Sequence, residues 1–577
     1  MPHWSRSVTQ NQPDSHQSQP WACITFLSFK NKRQEDVSHG VTEVKNITVV
    51  SDILNVSVQS DKNSYLMQAS AVLSSGDLNY QSLITPGDHA LIWMGDDKTQ
   101  FESVSKAAAN NGQANYYGSG LKFVGRVTSV RSIFNTTPNG VKTLRYAISF
   151  TAFTEFNSQI YFNPLLSSAA ESQGNAQDKG IALFANITEQ WSQYIFNADD
   201  GTKFNIQKYI DFFIDIFFGI GPSSASKKIG KVSRSPNEAF LIPIELLSLL
   251  GLTPSNQKAP NYSDALHTII GIQKYTGESY LPLMGEEKSA VQSFTTDRLV
   301  GNMASPPDSF NSVPVWSLIK QFSNPSLNEV FNTIKMNKNG NIVPTFIARQ
   351  IPFSTSNNPE IQSKPHTPFL DLPRWVLDPN MMINSFNIGV SESARFNYYQ
   401  VNTQFSASNV TVTEINYLAT SLGNQKLFEN DIKRHGSHNL FMNTTADFTK
   451  DGVQIDARLW TELIADFYKN GHLKLTGSIS TAGISAPICV GDNLKVTNKV
   501  FHIESLTHSY STFDNGFKSF TTDMSLSHGI LSNGNLVSDE SALREKSETE
   551  LTPGYNDQEL YIGEKQITGE PPKKGSA

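Results

Sequence analysis

Between Cys23 and Phe162 apolar and polar positions alternate in short runs broken by Gly, Asn and Asp. This is the period-two pattern of half-buried strands. Val56 with Val58, Met67 with Ala69 and Ala71, and the run from Leu121 to Val130 carry it most clearly. Pro86-Gly87-Asp88 is a turn signal ahead of an apolar strand over 90–94, and Phe123-Val124-Gly125-Arg126-Val127 opens another strand. The pattern predicts a small antiparallel β-barrel over 21–165, preceded by a flexible arm over 1–20 that lacks periodicity.

After a small-residue polar stretch over 167–179, the apolar period lengthens to 3.6 at Ile181, Phe184, Ile187, Trp191 and Tyr194. A helical or mixed middle domain over 166–340 follows, with candidate helices at 206–218, 241–250, 263–270 and 315–322. From Ile342 the chain turns extended, and the Pro, Ser, Thr and Asn of 352–373 forbid a regular helix or central strand. A mixed α/β segment over 341–470 carries strand-like runs at 382–388 and 394–405. It also carries a helix at 458–470 that places Leu459, Leu463, Ile464 and Phe467 on one side.

A second β-barrel is expected over 471–530, from strands at 473–480, 486–490, 493–497, 501–511 and 517–528, with Asp514-Asn515-Gly516 as a hairpin turn. A mixed-charge C-terminal tail, 531–577, is expected to be flexible and, like the opening arm, to serve as an interaction segment. The fold class is therefore mainly β with α+β insertions.

The two predicted barrels share a layout. Gly87-Asp88 and Gly491-Asp492 each begin a strand. Downstream, Phe123-Val124-Gly125-Arg126-Val127-Thr128 parallels Phe501-His502-Ile503-Glu504-Ser505-Leu506-Thr507 in placing an aromatic, alternating apolar residues and a Thr on one strand.

Composition narrows the function. At 577 residues the chain needs several packed units, and 38% hydrophobic with only 17% charged residues suits β-rich surfaces. A net charge of −7 lacks the basic excess that tight binding of a phosphate backbone requires. The longest apolar run, 212–220, is interrupted by Asp215 and is too short to span a bilayer. The opening residues lack a secretory layout, so folding in the cytoplasm is expected, and Asn46-Ile47-Thr48 then has no meaning as a sequon. Cys23 and Cys489 read as buried small hydrophobes.

No constellation completes a catalytic or metal template, and no catalytic, cofactor-binding or metal residue is assigned. His435 and His438 lack a third ligand and read as a polar turn. Glu286-Glu287 and Asp199-Asp200 have ordinary loop surroundings. Gly118-Ser119-Gly120 lacks a following Lys-Ser/Thr and reads as a hairpin connection. Cys489 precedes a Gly-Asp turn in an apolar run, a packing position rather than half of a thiol pair with His472.

Several motifs are familiar. Leu475-Thr476-Gly477-Ser478-Ile479-Ser480, then Val490-Gly491-Asp492-Asn493-Leu494, then Phe501 through Ser511 and Phe520 through Gly529 resemble the closing barrel of phage tail baseplate hub proteins. Val315-Trp316-Ser317-Leu318-Ile319, Asn328-Glu329-Val330-Phe331, the Arg349, Pro352 and Phe353 strand, and Arg395 through Val401 are similar to upstream segments of that family. The first barrel resembles its amino-terminal barrel and that of type VI secretion spike proteins.

The resemblance implies a non-enzymatic virion protein of the tail baseplate, assembled in the host cytoplasm, whose two barrels per chain form a homotrimer with six similar units. Implied partners are a central spike protein, a tail tube or tube-initiator protein, the tape measure protein and surrounding baseplate wedge proteins, with DNA only in transit through the lumen. The alternatives are a tail-associated peptidoglycan hydrolase housed in the middle region, a type VI spike, which would continue into a long β-helix, and the tail-tip hub of a non-contractile tail.

Overall fold

The computed structural model describes residues 5–7, 19–30, 43–64, 66–74, 78–136, 142–152, 161–162, 243–252, 313–314, 328–336, 340–352, 369–377, 383–403, 425–444, 461–462, 464–513 and 516–538. The expected helices at 206–218, 263–270 and 315–322, both acidic pairs and the far C-terminal tail lie outside these residues.

The chain opens with β1 (Ser5–Ser7), β2 (Trp21–Phe29), β3 (Val44–Val49), β4 (Ile53–Asp61) and β5 (Gln68–Ser74). The short helix α1 (Tyr80–Leu83), β6 (His89–Gly95), helix α2 (Lys98–Ala109), β7 (Leu121–Thr136) and β8 (Lys142–Ala152) complete a first β unit. Strand β9 (Tyr161–Phe162), helix α3 (Ile244–Leu249), β10 (Val313–Pro314), β11 (Asn328–Met336) and β12 (Ile342–Gln350) follow. Then come β13 (Arg374–Leu377), β14 (Ile383–Gly389), β15 (Tyr398–Thr403), β16 (Gln425–Leu427), helix α4 (Glu429–His435) and β17 (Asn439–Thr444). The last strands are β18 (Leu475–Ala482), β19 (Asn493–Val496), β20 (Lys499–Thr512) and β21 (Lys518–Leu531).

The protein is mainly β, as its alternation predicts. Helix α2 interrupts the predicted run of strands: Asp97 accepts from the Thr99 amide as its N-cap, and Val104 and Ala108 are buried four residues apart. It lies between β6 and β7, so Gly118 to Gly120 belong to a helix-to-strand connection and not to a tight hairpin. The expected helix at 241–250 is present as α3, while 328–336, inside the predicted helical middle, is a strand paired with β12. Residues 486–490, expected as a strand, form none; Pro487 interrupts that run.

In the first unit the strands lie side by side as β4-β5-β8-β7-β6-β2. In the second they lie as β14-β18-β21-β20-β19-β13, the same permutation of chain order. The irregularities repeat as well. A register shift separates Val127 and Ser129 opposite Phe150 and Ser149, and another separates Ile503 and Ser505 opposite Leu526 and Ser525. A further pair separates Ile53 from Asn55 and Ile383 from Ser385. Bulges of this kind re-aim a strand and are inherited features of a fold, so the internal repeat is a repeat of topology. It aligns Gly125 with Phe501, two residues from the match of aromatics that the letters suggest. One joint differs: β2 is antiparallel to β6, whereas β13 is parallel to β19.

Neither unit closes into a barrel among the described residues, and the reason is that a strand has only two edges. The second edge of β4 is taken by β20, so it cannot ladder to β3. The second edge of β13 is taken by β1, so it cannot ladder to β14. The latter also draws residues 5–7, expected as part of a flexible arm, into the sheet. The second unit recruits β13 and β14 from the segment expected to lead up to it, with β15, β16 and β17 forming a separate sheet.

Two cores result. Trp93, Phe26, Phe123 and Phe150 lie in the first with helix α3, while Trp375, Ile479, Phe501, Ile503 and Met524 fill the second. The hairpin β11–β12 serves both, with Ile334 and Ile342 in the first core and Phe331 and Ile347 in the second.

Candidate assembly surface

Each unit is pinned by a Gly-Asp turn. Gly87 and Gly491 adopt φ of +96° and +80°, the left-handed region that favours glycine. The Gly87 amide donates to the Val127 carbonyl and the Val127 amide to the Asp88 carbonyl; Gly491, Ile503 and Asp492 repeat the pair. Both aspartates are buried and satisfied differently. Asp88 accepts from the backbone amides of Thr85 (2.8 Å) and Phe29 (3.3 Å). Asp492 accepts from Lys335 Nζ (2.9 Å), Trp375 Nε1 (3.1 Å) and Cys489 Sγ (2.9 Å), so it ties β11, β13 and its own turn together.

The two units meet where β4 runs antiparallel to β20, with Asp61 opposite Ser505 and Asn55 opposite Ser511. Val56 and Tyr510 face each other in this ladder, 0% and 2% exposed, and Tyr510 packs in the core of the first unit although it belongs to the second. At one end Lys62 Nζ lies 3.1 Å from Glu329 and 3.3 Å from Glu504. At the other, Asn55 Nδ2 donates to Ser511 Oγ and Thr512 Oγ1 to the Ile53 carbonyl. Glu504 sits in the motif that resembles the hub family, but its partners, and Lys122 below, were not marked by any local pattern.

Lys122 crosses the same boundary: its Nζ donates to the carbonyls of Ser485 (3.1 Å) and Ala486 (2.9 Å), and the Ser485 hydroxyl donates to Asp96 (2.9 Å). Burial pushes the Lys122 amine from 10.5 down to about 7. The unfolded chain keeps that proton up to about 10.5 while the folded chain releases it near 7, so stability should rise with pH through this window. Lys122→Met is expected to flatten that rise. Urea midpoints at about pH 7 and about pH 9.5 check it, since an unchanged slope would assign the pH dependence elsewhere.

Of the residues weighed for chemistry, those described make the following contacts. His435 Nδ1 lies 3.2 Å from Asp431 and His438 Nε2 lies 3.2 Å from the His435 carbonyl. No group of three or more metal-ligating side chains occurs among the described residues. Cys489 spends its thiol on Asp492, and His472 sits on the short turn Gly471–Leu473. Cys23 is buried, and burial pushes its thiol up to about 12. No helix among the described residues is long and apolar enough to cross a membrane.

These features define a protein of two topologically repeated, strand-joined β units. No protein-family model and no curated protein matches the chain. Among solved structures it is similar to a tail protein from Neisseria meningitidis MC58, at 9% identity and a TM-score of 0.32, over 88% of this chain and 96% of that one. It is also similar to the 43 kDa tail protein of prophage MuSo2 from Shewanella oneidensis, at 8% identity and 0.33, over 89% and 99%. A third is the Francisella PdpA-VgrG complex, at 7% and 0.33, over 88% of this chain and 58% of that chain.

Proposed function

We propose that the chain is a structural baseplate hub subunit of a phage tail, acting as a homotrimeric ring between a central spike and the tail tube, with DNA passing through the lumen. The observation that carries this reading is the repeated strand order and its joint. One chain already links two alike units through β4 and β20, and such a link suits continuation around an axis into six similar units. Its chemistry agrees: the buried acids and amines here are spent on holding strands, as a load-bearing part needs. A net charge of −7 suits a passage that must not retain DNA.

Mass measurement on the purified full chain, with negative-stain imaging, tests the reading. The expected result is a species of three subunits with a central hole. A chain that stays monomeric at all concentrations, alone and in the presence of spike and tube proteins, contradicts it.

A further inference from the structure

The joint between the two units closes over a cavity that both of them line. Its apolar wall is Val58 and Leu121 from the first unit, Ile488 and Leu506 from the second, and Ile334 from β11. Every residue of the lining is buried. The cavity leaves about 20 Å³ for the centre of a water-sized sphere, more than the ~10–15 Å³ that one buried water needs.

Two nitrogen donors line this space, Lys122 and His508, each 3% exposed. An ammonium carries three N–H groups. Lys122 gives two of them to the carbonyls of Ser485 and Ala486, and the third remains. His508 Nδ1 lies 2.9 Å from Thr522 Oγ1, which already accepts from the Ile484 amide at 3.0 Å. The Thr522 hydroxyl proton then finds its acceptor in Nδ1, which puts the ring proton of His508 on Nε2. Among the described residues no carboxylate lines the cavity. Asp96 attracts the Lys122 charge from outside the lining, where it accepts from the Ser485 hydroxyl. The ion pairs of the neighbouring strands are Lys62 with Glu329 and Glu504, and Lys335 with Asp492, and none of these groups lines the cavity either. Burial holds the His508 imidazole well below its ordinary range, and the Lys122 charge lowers it further. The space thus offers donors and, on protonation, positive charge, a combination that is costly to bury without a counter-charge.

We infer that this cavity is a binding site for one monatomic, monovalent anion, chloride in ordinary buffers, held between Lys122 Nζ and His508 Nε2. The volume suits a single small ion rather than a polyatomic acid. Because the walls belong to both units and to the hairpin that serves both cores, the ion ties the joint together. An anion here favours the charged amine and imidazole, so chloride and protons are taken up together.

Thermal melts of the full-length protein in sodium chloride and in sodium gluconate, at equal ionic strength, test the site at about pH 6 and about pH 9.5. The expected result at the lower pH is a higher Tm in chloride, climbing with the logarithm of its concentration. The gap is expected to shrink at the higher pH, where the Lys122 amine has lost its proton. Lys122→Met is expected to abolish the gap, and His508→Gln, which keeps a donor but cannot take a charge, to reduce it. Bromide soaked into crystals of the protein is expected to give an anomalous peak between Lys122 Nζ and His508 Nε2. Equal Tm in the two salts at both pH values, or a gap unchanged in both variants, overturns the site and leaves only water in the cavity. A bromide-soaked crystal with no peak there overturns it as well.

Discussion

Replacing Asp492 with alanine is expected to destabilise the protein by about 3–5 kcal/mol, the usual cost of leaving one partner of a buried ion pair behind. Lys335 would keep a buried charge without its carboxylate, and Trp375 Nε1 and Cys489 Sγ would lose their acceptor in the same stroke. Asp88 occupies the matching turn and accepts from the backbone amides of Thr85 and Phe29, so Asp88→Ala is expected to cost the smaller ~1–3 kcal/mol of unsatisfied buried donors. The double change Asp492→Leu with Lys335→Met should recover much of the loss, because apolar replacement of both partners removes the stranded charge. Urea midpoints of the three variants measure this ranking; equal losses for the two aspartates would show that the ion pair contributes nothing special.

Tyr510→Asp is expected to uncouple the two units. The tyrosine extends from the second unit into the core of the first, opposite Val56, and an aspartate there buries a charge with no cationic partner provided by the ladder. A destabilisation above about 4 kcal/mol belongs to this mechanism. Because the side chain lies outside the core of its own unit, the damage should appear as separation of one melting transition into two, seen by calorimetry. A single transition at the wild-type temperature would mean that the units do not depend on the β4–β20 ladder for their coupling.

Much of the local architecture was legible in the chain. The alternation at Val56, Val58, Ala69 and Ala71 places β4 and β5 correctly, and the turn chemistry of Gly87-Asp88 and Gly491-Asp492 marks both pinned turns, because glycine at positive φ followed by a buried acid is a local signal. Helix α2 was hidden because Phe101, Val104 and Ala108 follow a helical period within only twelve residues, among strands on both sides. The joint was not legible at all. Nothing near Val56 announces that its partner is Tyr510, since pairing across hundreds of residues depends on which edges remain after local strands have paired. For the same reason closed barrels were expected where the described strands form open sheets: closure is a property of the last free edge, and β20 and β1 occupy those edges.

The pairing of Asn55 to Asp61 with Ser505 to Ser511 has a bearing on how the protein is made. A ribosome adding about 5–20 residues per second needs roughly 20–90 s to travel from one partner strand to the other. During that interval the nascent amino-terminal half holds an unsatisfied β4 rim, and any prematurely terminated product holds it permanently. Cells producing this protein are therefore under pressure to shield that rim, by a chaperone or by rapid synthesis, and truncated fragments ending before β20 should be among its most aggregation-prone forms.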